Sequence, residues 1–140
     1  MTLFELTVPS PIGPLRLVAS EDALVGLYTP DHRNAPDIAA RPAAGHPVLE
    51  AARRELDEYF AGRRTRFEVP LRLEGTAFQR AAWAALLEIP LGATWSYTDL
   101  ARRLGRPAAV RAAGAANARN PISIIVPCHR VIGAGGALTG

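Results

Sequence analysis

The stretch SYTDLARRLGRPAAVRAAGAAN, residues 96–117, decides the fold of the C-terminal half of this 140-residue chain. Ser96 followed by Asp99 is a capping pattern that predicts the start of a helix, and Gly105 predicts its end. After a tight turn, residues 106–117 predict a second helix. Two short helices joined by a glycine-containing turn favour a helix-turn-helix.

The second helix of this pair is nearly bare of side chains. Only Val110 and Arg111 have bulk, and the remaining positions are small: Ala108, Ala109, Ala112, Ala113, Gly114, Ala115 and Ala116. Such a helix either packs tightly in a core or brings its backbone close to a nucleic-acid groove. Base-reading helices carry several polar side chains, so as a DNA-binding element this helix would read shape and phosphates rather than sequence.

The charge of the chain is distributed unevenly. The net charge is +3, and residues 1–100 carry 10 arginines against 13 acidic residues, whereas residues 101–140 carry 6 arginines and no acidic residue. A polyanion would be attracted to the C-terminal third. A basic cluster is also compatible with a merely solvated surface.

The stretch IIVPCHRVIG, residues 124–133, contains the only cysteine of the chain. Residues 122–126 predict a buried strand that Pro127 ends, so Cys128 would lie where the chain leaves the core. A reactive cysteine needs a base or a positive surrounding, for which His129 and Arg130 are candidates. Because a lone cysteine also serves as a small hydrophobic residue, this pattern leaves the catalytic and structural interpretations both open.

The region before residue 70 predicts a separate small α/β lobe. The segments LFELTVPS, LRLVAS and ALVGLYT predict three strands, with a hairpin turn at PSPIGP between the first two. HPVLEAARRELDEYFAGRR predicts a helix that ends near Gly62, and FEVPLRL predicts a short closing strand. His32 and His46 are interpreted as surface or capping residues rather than ligands.

The second lobe is predicted to begin with another helix. Thr76 and Gln79 form a capping box, and Pro90 ends the helix. With one cysteine the chain forms no intramolecular disulfide and lacks the thiolates of a zinc site, so no metal is expected. The N-terminus predicts neither an export signal nor a membrane span, which favours a cytoplasmic location.

The run NPISIIVPCHRVIG, with VRAAGAANARN and SYTDLARRLG before it, closely resembles the O6-alkylguanine-DNA alkyltransferases, which are single-turnover DNA repair proteins. The family signature stands here as Pro127, Cys128, His129 and Arg130. The resemblance runs from about residue 75 to residue 140 and is weaker over the first lobe. It implies an α+β fold, with an RNase H-like α/β lobe over residues 1–70 and an alkyltransferase DNA-binding and active-site domain over residues 71–140.

The resemblance also implies roles for individual residues. Cys128 accepts the alkyl group from guanine O6 after the nucleotide is extruded from the duplex, and His129 takes the thiol proton through a water. Asn120 braces the turn between the recognition helix and the active-site strand. Tyr97 crowds the phosphate beside the target, and Arg111 fills the gap left in the base stack.

The expected partner is double-stranded DNA containing O6-alkylguanine, with acceptance of O4-alkylthymine left open, and the expected state is a monomer without cofactor or membrane. The minor-groove surface implied by the resemblance consists of Arg111, Tyr97, Ala112, Gly114, Ala115, Arg119 and Arg130.

In the family the chain continues beyond the position of Gly140 with a tyrosine, a pair of glycines and a terminal helix whose glutamate orients the histidine. For the sequence as given, we therefore expect His129 to lack that support. An alternative hypothesis is a module that binds alkylated bases without transferring the group, and a third is a folded fragment without activity. The retained Cys128 favours the alkyltransferase.

Overall fold

The computed structural model describes residues 2–30 and 38–133, which divide into two compact units between Arg72 and Leu73. The interpretation of His32 and the expectation about the end of the chain concern residues outside this description.

The first unit contains a four-stranded mixed sheet. Its strands are β1 (Phe4–Val8), β2 (Leu15–Ala19), β3 (Leu24–Tyr28) and β4 (Arg41–Pro42), in the spatial order β3-β2-β1-β4. β2 is antiparallel to both β1 and β3, and the short β4 is parallel to β1. The predicted hairpin turn closes where the Gly13 N–H donates to the Ser10 carbonyl. The three predicted strands are therefore confirmed.

One helix, α1 (Pro47–Phe60), packs against β1, β2 and β3. Its buried side chains include Val48, Leu49, Ala52 and Leu56. The Nδ1 atom of His46 accepts a hydrogen bond from the Val48 N–H, which confirms the capping interpretation of this histidine. The helix and its end near Gly62 are also confirmed.

The strand predicted for FEVPLRL is wrong, because this segment forms only an isolated bridge between Leu71 and Leu24. The buried Glu55 carboxylate accepts the N–H groups of Glu68 and Val69, at 2.8 and 3.1 Å. Those two donors are no longer available to a ladder, and Pro70 has none. A side chain of α1 therefore takes the bonds that a strand would need.

The second unit is mainly helical. It contains α2 (Ala77–Leu86), β5 (Trp95–Ser96), α3 (Tyr97–Arg103), α4 (Val110–Ala118), a 3₁₀ turn (Cys128–Arg130) and β6 (Val131–Ile132). The three α-helices pack against one another, and both predicted capping boxes are present. The Trp83 indole, buried in α2, donates to the Ala116 carbonyl of α4 at 2.8 Å.

The strand predicted for residues 122–126 is also wrong, because the chain turns there. The Val126 N–H donates to the Ile122 carbonyl, and Ile124 has a φ of 72°. The side chain of Asn120 binds the Ile122 N–H and the Val126 carbonyl, so these groups do not join a sheet. The chain becomes extended again only in β6, which pairs in parallel with β5.

The mixed sheet and the helices make this an α+β protein, as predicted. Within residues 2–30 and 38–133, no helix has the length and apolar composition needed to cross a bilayer.

Candidate active site and nucleic-acid surface

Cys128 is a free, half-buried thiol at the start of the 3₁₀ turn. Pro127, immediately before it, has φ −81° and ψ 64°, and the Cys128 N–H donates to the Val126 carbonyl at 2.8 Å. These values describe an inverse γ-turn centred on Pro127. The turn directs the chain away from the buried residues 125–127, so the thiol lies at the edge of the core.

Asn120 holds the segment that precedes this turn. Asn120 is only 1% exposed. Its Oδ1 accepts a hydrogen bond from the Ile122 N–H at 3.0 Å, and its Nδ2 donates one to the Val126 carbonyl at 2.7 Å. One buried amide therefore satisfies a backbone donor and a backbone acceptor on opposite sides of the 122–126 turn. The geometry gives Asn120 the bracing contacts that the resemblance implied.

The turn held by Asn120 is strained at Ile124. Its φ of 72° is rare for a β-branched residue, and the Ile125 N–H donates to the Ser123 carbonyl at 2.8 Å across it. This combination describes a γ-turn of the uncommon positive-φ kind. Strained backbone persists where its surroundings fix it, and here the two hydrogen bonds of Asn120 flank the strained residue.

The surroundings of Cys128 favour the protonated thiol. Burial raises its pKa, and hydrogen bonds from the Asn120 side chain and from the N–H groups of Cys128 and His129 lower the pKa in part. Burial disfavours a thiolate, whereas these donors stabilise it once it forms. Proton removal therefore has to accompany any reaction of this sulfur at neutral pH.

His129 is an exposed residue whose imidazole favours the neutral form. Partial desolvation lowers its pKa, and the positive charge of Arg130 lowers it further. A neutral imidazole can accept a proton at neutral pH. Because residues 128–130 form a 3₁₀ turn rather than a strand, adjacent side chains differ by about 120° in direction instead of pointing to opposite faces.

Arg130 has an intramolecular partner. Its Nη1 donates to the Ile89 carbonyl, just after α2, at 2.7 Å. This bond ties the 3₁₀ turn to the end of α2, so the structure gives Arg130 a bracing contact in addition to the DNA-binding role predicted for it.

Tyr97 begins α3, directly after β5, which pairs with β6. Trp95 pairs with Val131 and Ser96 pairs with Ile132, so the strand that follows the 3₁₀ turn lies beside the start of α3. The half-buried Tyr97 ring covers Gly114, where a Cβ atom would lie 3.6 Å from the nearest ring carbon. Gly114 therefore lies under an aromatic ring and is half-buried, between the buried Ala113 and the exposed Ala115.

The exposed face of α4 carries mainly alanine side chains and has an arginine at each end. It consists of Arg111, Ala112, Ala115, Ala118 and Arg119, while Ala113, Ala116 and Asn117 are buried. The two arginines are eight residues apart, which is about 12 Å along a helix. One face of the bare helix therefore packs in the core, as one interpretation predicted, and the opposite face is open, as contact with a nucleic acid would require.

Further arginines lie on α3 and in the turn that follows it. Arg102 is exposed in α3, and the Arg106 guanidinium lies 5.7 Å from the centre of the Phe78 ring. Arg103 is neutralised by Glu88, with its Nη2 2.7 Å from the carboxylate. Residues 101–133 contain no acidic residue, so this surface attracts anions.

Sequence reasoning missed one polar residue of the site, Asn117. It is 1% exposed in α4, and its Nδ2 donates to the Cys128 carbonyl at 3.3 Å. The available signal was an asparagine in a run of alanines, three residues before Asn120. Among the described residues, no group of three or more His, Cys, Asp or Glu side chains could hold a metal ion.

Comparisons with known proteins agree with this arrangement. The family model for the DNA-binding domain of 6-O-methylguanine DNA methyltransferase matches residues 77–140, and the model for its ribonuclease-like domain matches residues 3–73. A methylated-DNA–protein-cysteine methyltransferase of Methanosarcina acetivorans is 46% identical over 131 residues, covering 94% of this chain and 84% of that protein.

Two further comparisons come from Mycobacterium tuberculosis. Its methylated-DNA–protein-cysteine methyltransferase is 48% identical over 141 residues, covering 96% of this chain and 81% of the relative. The crystal structure of M. tuberculosis OGT in complex with DNA matches with a TM-score of 0.89 at 46% identity, covering 100% of this chain and 83% of that chain.

Proposed function

The chain belongs to the 6-O-methylguanine DNA methyltransferase family, and we propose that it repairs DNA by direct reversal, moving an alkyl group from guanine O6 to Cys128. It is thus a methylated-DNA–[protein]-cysteine S-methyltransferase that acts once. The observation that carries the proposal is a single free cysteine, held by a buried asparagine, within the segment that matches the DNA-binding model.

The transfer is a displacement at the alkyl carbon. The Cys128 sulfur forms a bond to that carbon, and the bond between the carbon and guanine O6 breaks with its electron pair moving to the purine. His129 accepts the thiol proton, and a proton returns to the purine to give guanine. The products are repaired DNA and S-alkylcysteine, so the reaction requires no cofactor and consumes the protein.

Hydrogen-bond donors around Cys128 support this step. The His129 N–H and the amide of Asn120 stabilise negative charge on the sulfur as the proton leaves. The lowered pKa of His129 keeps its imidazole neutral and able to accept the proton. The raised pKa of Cys128 keeps the thiol protonated until then.

The target base has to leave the duplex before the sulfur can reach it. Extrusion costs a few kcal/mol, and the cost is smaller for a poorly paired, damaged base. We assign Arg111 to the gap in the stack and Tyr97 to the neighbouring phosphate, with α3 and α4 acting as a helix-turn-helix. The Ala112 and Ala115 face of α4 suits the minor groove, because methyl side chains allow close backbone approach.

The proposed partner is double-stranded DNA with O6-alkylguanine, bound largely through phosphates by Arg102, Arg106 and Arg119, so affinity falls with added salt.

Residues 71–140 supply DNA binding and chemistry, and residues 1–70 form the RNase H-like lobe. A monomer in the cytoplasm is proposed, since the assigned groups lie within one chain and a reducing compartment keeps Cys128 a free thiol. The alternative of a binding module without transfer is not favoured.

Mass spectrometry of the intact protein after incubation with O6-benzylguanine tests the proposal. One benzyl group on Cys128 is the expected result, with Cys128→Ala as the unreactive control. Cys128→Ala should also keep its affinity for duplex DNA, because the sulfur is not part of the α4 face. A folded wild-type protein that gains no benzyl group at any pH from 6 to 9 would show the proposed transfer to be wrong.

A further inference from the structure

Asn117 makes an incomplete set of hydrogen bonds although it is buried. Its Nδ2 donates to the Cys128 carbonyl at 3.3 Å, while its Oδ1 has no hydrogen-bond donor among the described residues. The orientation of the amide follows from chemistry, because only the nitrogen can donate to a carbonyl oxygen. A buried acceptor without a partner is rare in proteins and is unfavourable for folding.

The position of Asn117 in α4 makes this choice of residue more costly. Asparagine is a poorer helix former than alanine, and the neighbouring positions Ala113, Ala115, Ala116 and Ala118 all carry alanine. An alanine at residue 117 would favour the helix and leave no buried amide oxygen. The stability of the helix therefore does not explain the asparagine, and its hydrogen bond to the nucleophile residue does.

Asn117 and Asn120 hold neighbouring parts of the same turn. Asn120 binds the carbonyl of Val126, before Pro127, and Asn117 binds the carbonyl of Cys128, after it. The Cys128 carbonyl is also the acceptor for the Val131 N–H that closes the 3₁₀ turn. The orientation of this turn decides how the His129 N–H is directed relative to the sulfur, whereas the Cys128 N–H is bonded to the Val126 carbonyl.

We propose that Asn117 is a positioning residue for the alkyl-transfer reaction. It fixes the Cys128 carbonyl and thereby the orientation of the 3₁₀ turn, which sets the positions of the Cys128 side chain and of the neighbouring His129 N–H. The importance of this role for repair rests on the proposed function. The effect of Asn117 on the position of the thiol does not depend on that function. A loss of alignment slows reactions of this type strongly, by about 10- to 100-fold for a displacement near 1 Å.

The experiment compares Asn117→Ala and Asn117→Leu with the wild type in three measurements. These are the rate of benzyl transfer from O6-benzylguanine, the pH midpoint for alkylation of Cys128 by iodoacetamide, and the melting temperature. With a single cysteine in the chain, iodoacetamide reports on one sulfur. Asn117→Ala is included because alanine favours a helix, so a folded variant remains if the bulkier leucine of Asn117→Leu does not fit.

The matched control is Ser20→Ala. Ser20 is 2% exposed in the first unit, and its hydroxyl accepts the Ala23 N–H at 3.2 Å. This substitution removes a buried side-chain hydrogen bond to the backbone outside the catalytic machinery. We expect it to lower the melting temperature without changing either reactivity of Cys128.

For the Asn117 variants we expect the reverse pattern. Benzyl transfer slows by about 10-fold or more, the iodoacetamide midpoint moves to higher pH, and the melting temperature is unchanged or higher. Unchanged reactivity in a folded variant overturns the proposal, as does a loss of reactivity that only follows a loss of folded protein. If the wild type transfers no benzyl group but the midpoint still moves in the variants, the repair function fails and the positioning role stands.

Discussion

The aromatic ring of Tyr97 covers Gly114, so that the first residue of α3 lies over the middle of α4. A Cβ atom on Gly114 would lie 3.6, 3.7 and 3.9 Å from three carbons of the ring. Those distances are ordinary van der Waals contacts, so the glycine is not required by steric crowding. The two residues assigned to the DNA surface are thus also a packing pair between the two helices.

We expect Gly114→Ala to stabilise the protein. Glycine within a helix is less favourable than alanine by roughly 0.5–1 kcal/mol, and the added methyl group would contact the Tyr97 ring. Urea denaturation measures the change. The reverse substitution at an exposed position of the same helix, Ala115→Gly, is the matched control and should destabilise by a similar amount. A destabilised Gly114→Ala would mean that the ring cannot accommodate the methyl group.

Arg111→Ala should slow repair of duplex DNA much more than it slows reaction with free O6-benzylguanine. The arginine is exposed on α4 and makes no ion pair or side-chain hydrogen bond within the described part of the chain, so its removal leaves the thiol unaffected. Single-turnover rates on both substrates measure the difference. Arg54→Ala, another exposed arginine, is the control and should leave both rates unchanged. Equal slowing of the two reactions by Arg111→Ala would contradict a role in base extrusion.

The pH dependence should distinguish His129 as the base. Its pKa is lowered from 6.5 and that of Cys128 is raised from 9.0, so at neutral pH the imidazole is neutral and the sulfur is protonated. With His129 accepting the proton, benzyl transfer should be nearly constant between about pH 7 and 8 and should fall only as the imidazole becomes protonated at lower pH.

The variant His129→Ala should behave differently. Its rate should be lower and should rise by about tenfold for each pH unit, because reaction then depends on the fraction of thiolate. The rise should continue beyond the usual thiol range, since burial raises the pKa of Cys128. Stopped-time alkylation followed by mass spectrometry gives both profiles. If the rate of His129→Ala stayed constant between about pH 7 and 8, a group other than His129 would be accepting the thiol proton.

Asn120→Ala should destabilise the protein, in contrast to Asn117→Ala. The substitution leaves the Ile122 N–H without its acceptor beside the strained Ile124, and an unpaired buried group costs about 1–3 kcal/mol; the Val126 carbonyl loses one of its two donors and keeps the Cys128 N–H. Thermal unfolding measures the loss. Asn120→Asp retains the acceptor for Ile122 but places a buried carboxylate oxygen against the Val126 carbonyl, and should therefore also be destabilised. Equal stability of Asn120→Ala and the wild type would show that the turn holds itself.

Much of the architecture could be predicted from local sequence. The capping boxes at Thr76 and Ser96 need only residues three positions apart, and the hairpin turn before Gly13 is equally local. Hydrophobic periodicity was sufficient for α1 and α2. The Pro127 to Arg130 signature identified the segment of the nucleophile and, with the flanking stretches, the family.

The two wrong strand predictions share one cause. In each case a side chain forms hydrogen bonds with the backbone groups that a strand would use for pairing. Glu55 binds the N–H groups that a strand at residues 67–73 would use, and Asn120 does the same to residues 122–126. Both segments are apolar enough to be read as strands. A hydrophobic pattern indicates that a segment is buried. It does not indicate which groups form hydrogen bonds with the backbone of that segment.

The sequence by itself determined the α+β class and the capped starts of α2 and α3, because these follow from residue type and from spacings within one turn. The predicted helix boundaries were wrong at the end of α2, which is Leu86 rather than the residue before Pro90, and at the start of α4, which is Val110 rather than residue 106. Only the tertiary structure decided that Cys128 opens a 3₁₀ turn held by two asparagines of the α4 region, that β5 pairs with β6, and that the Tyr97 ring covers Gly114. The physical reason is that hydrogen bonds between residues far apart in sequence depend on the packing of whole elements, which no local pattern contains.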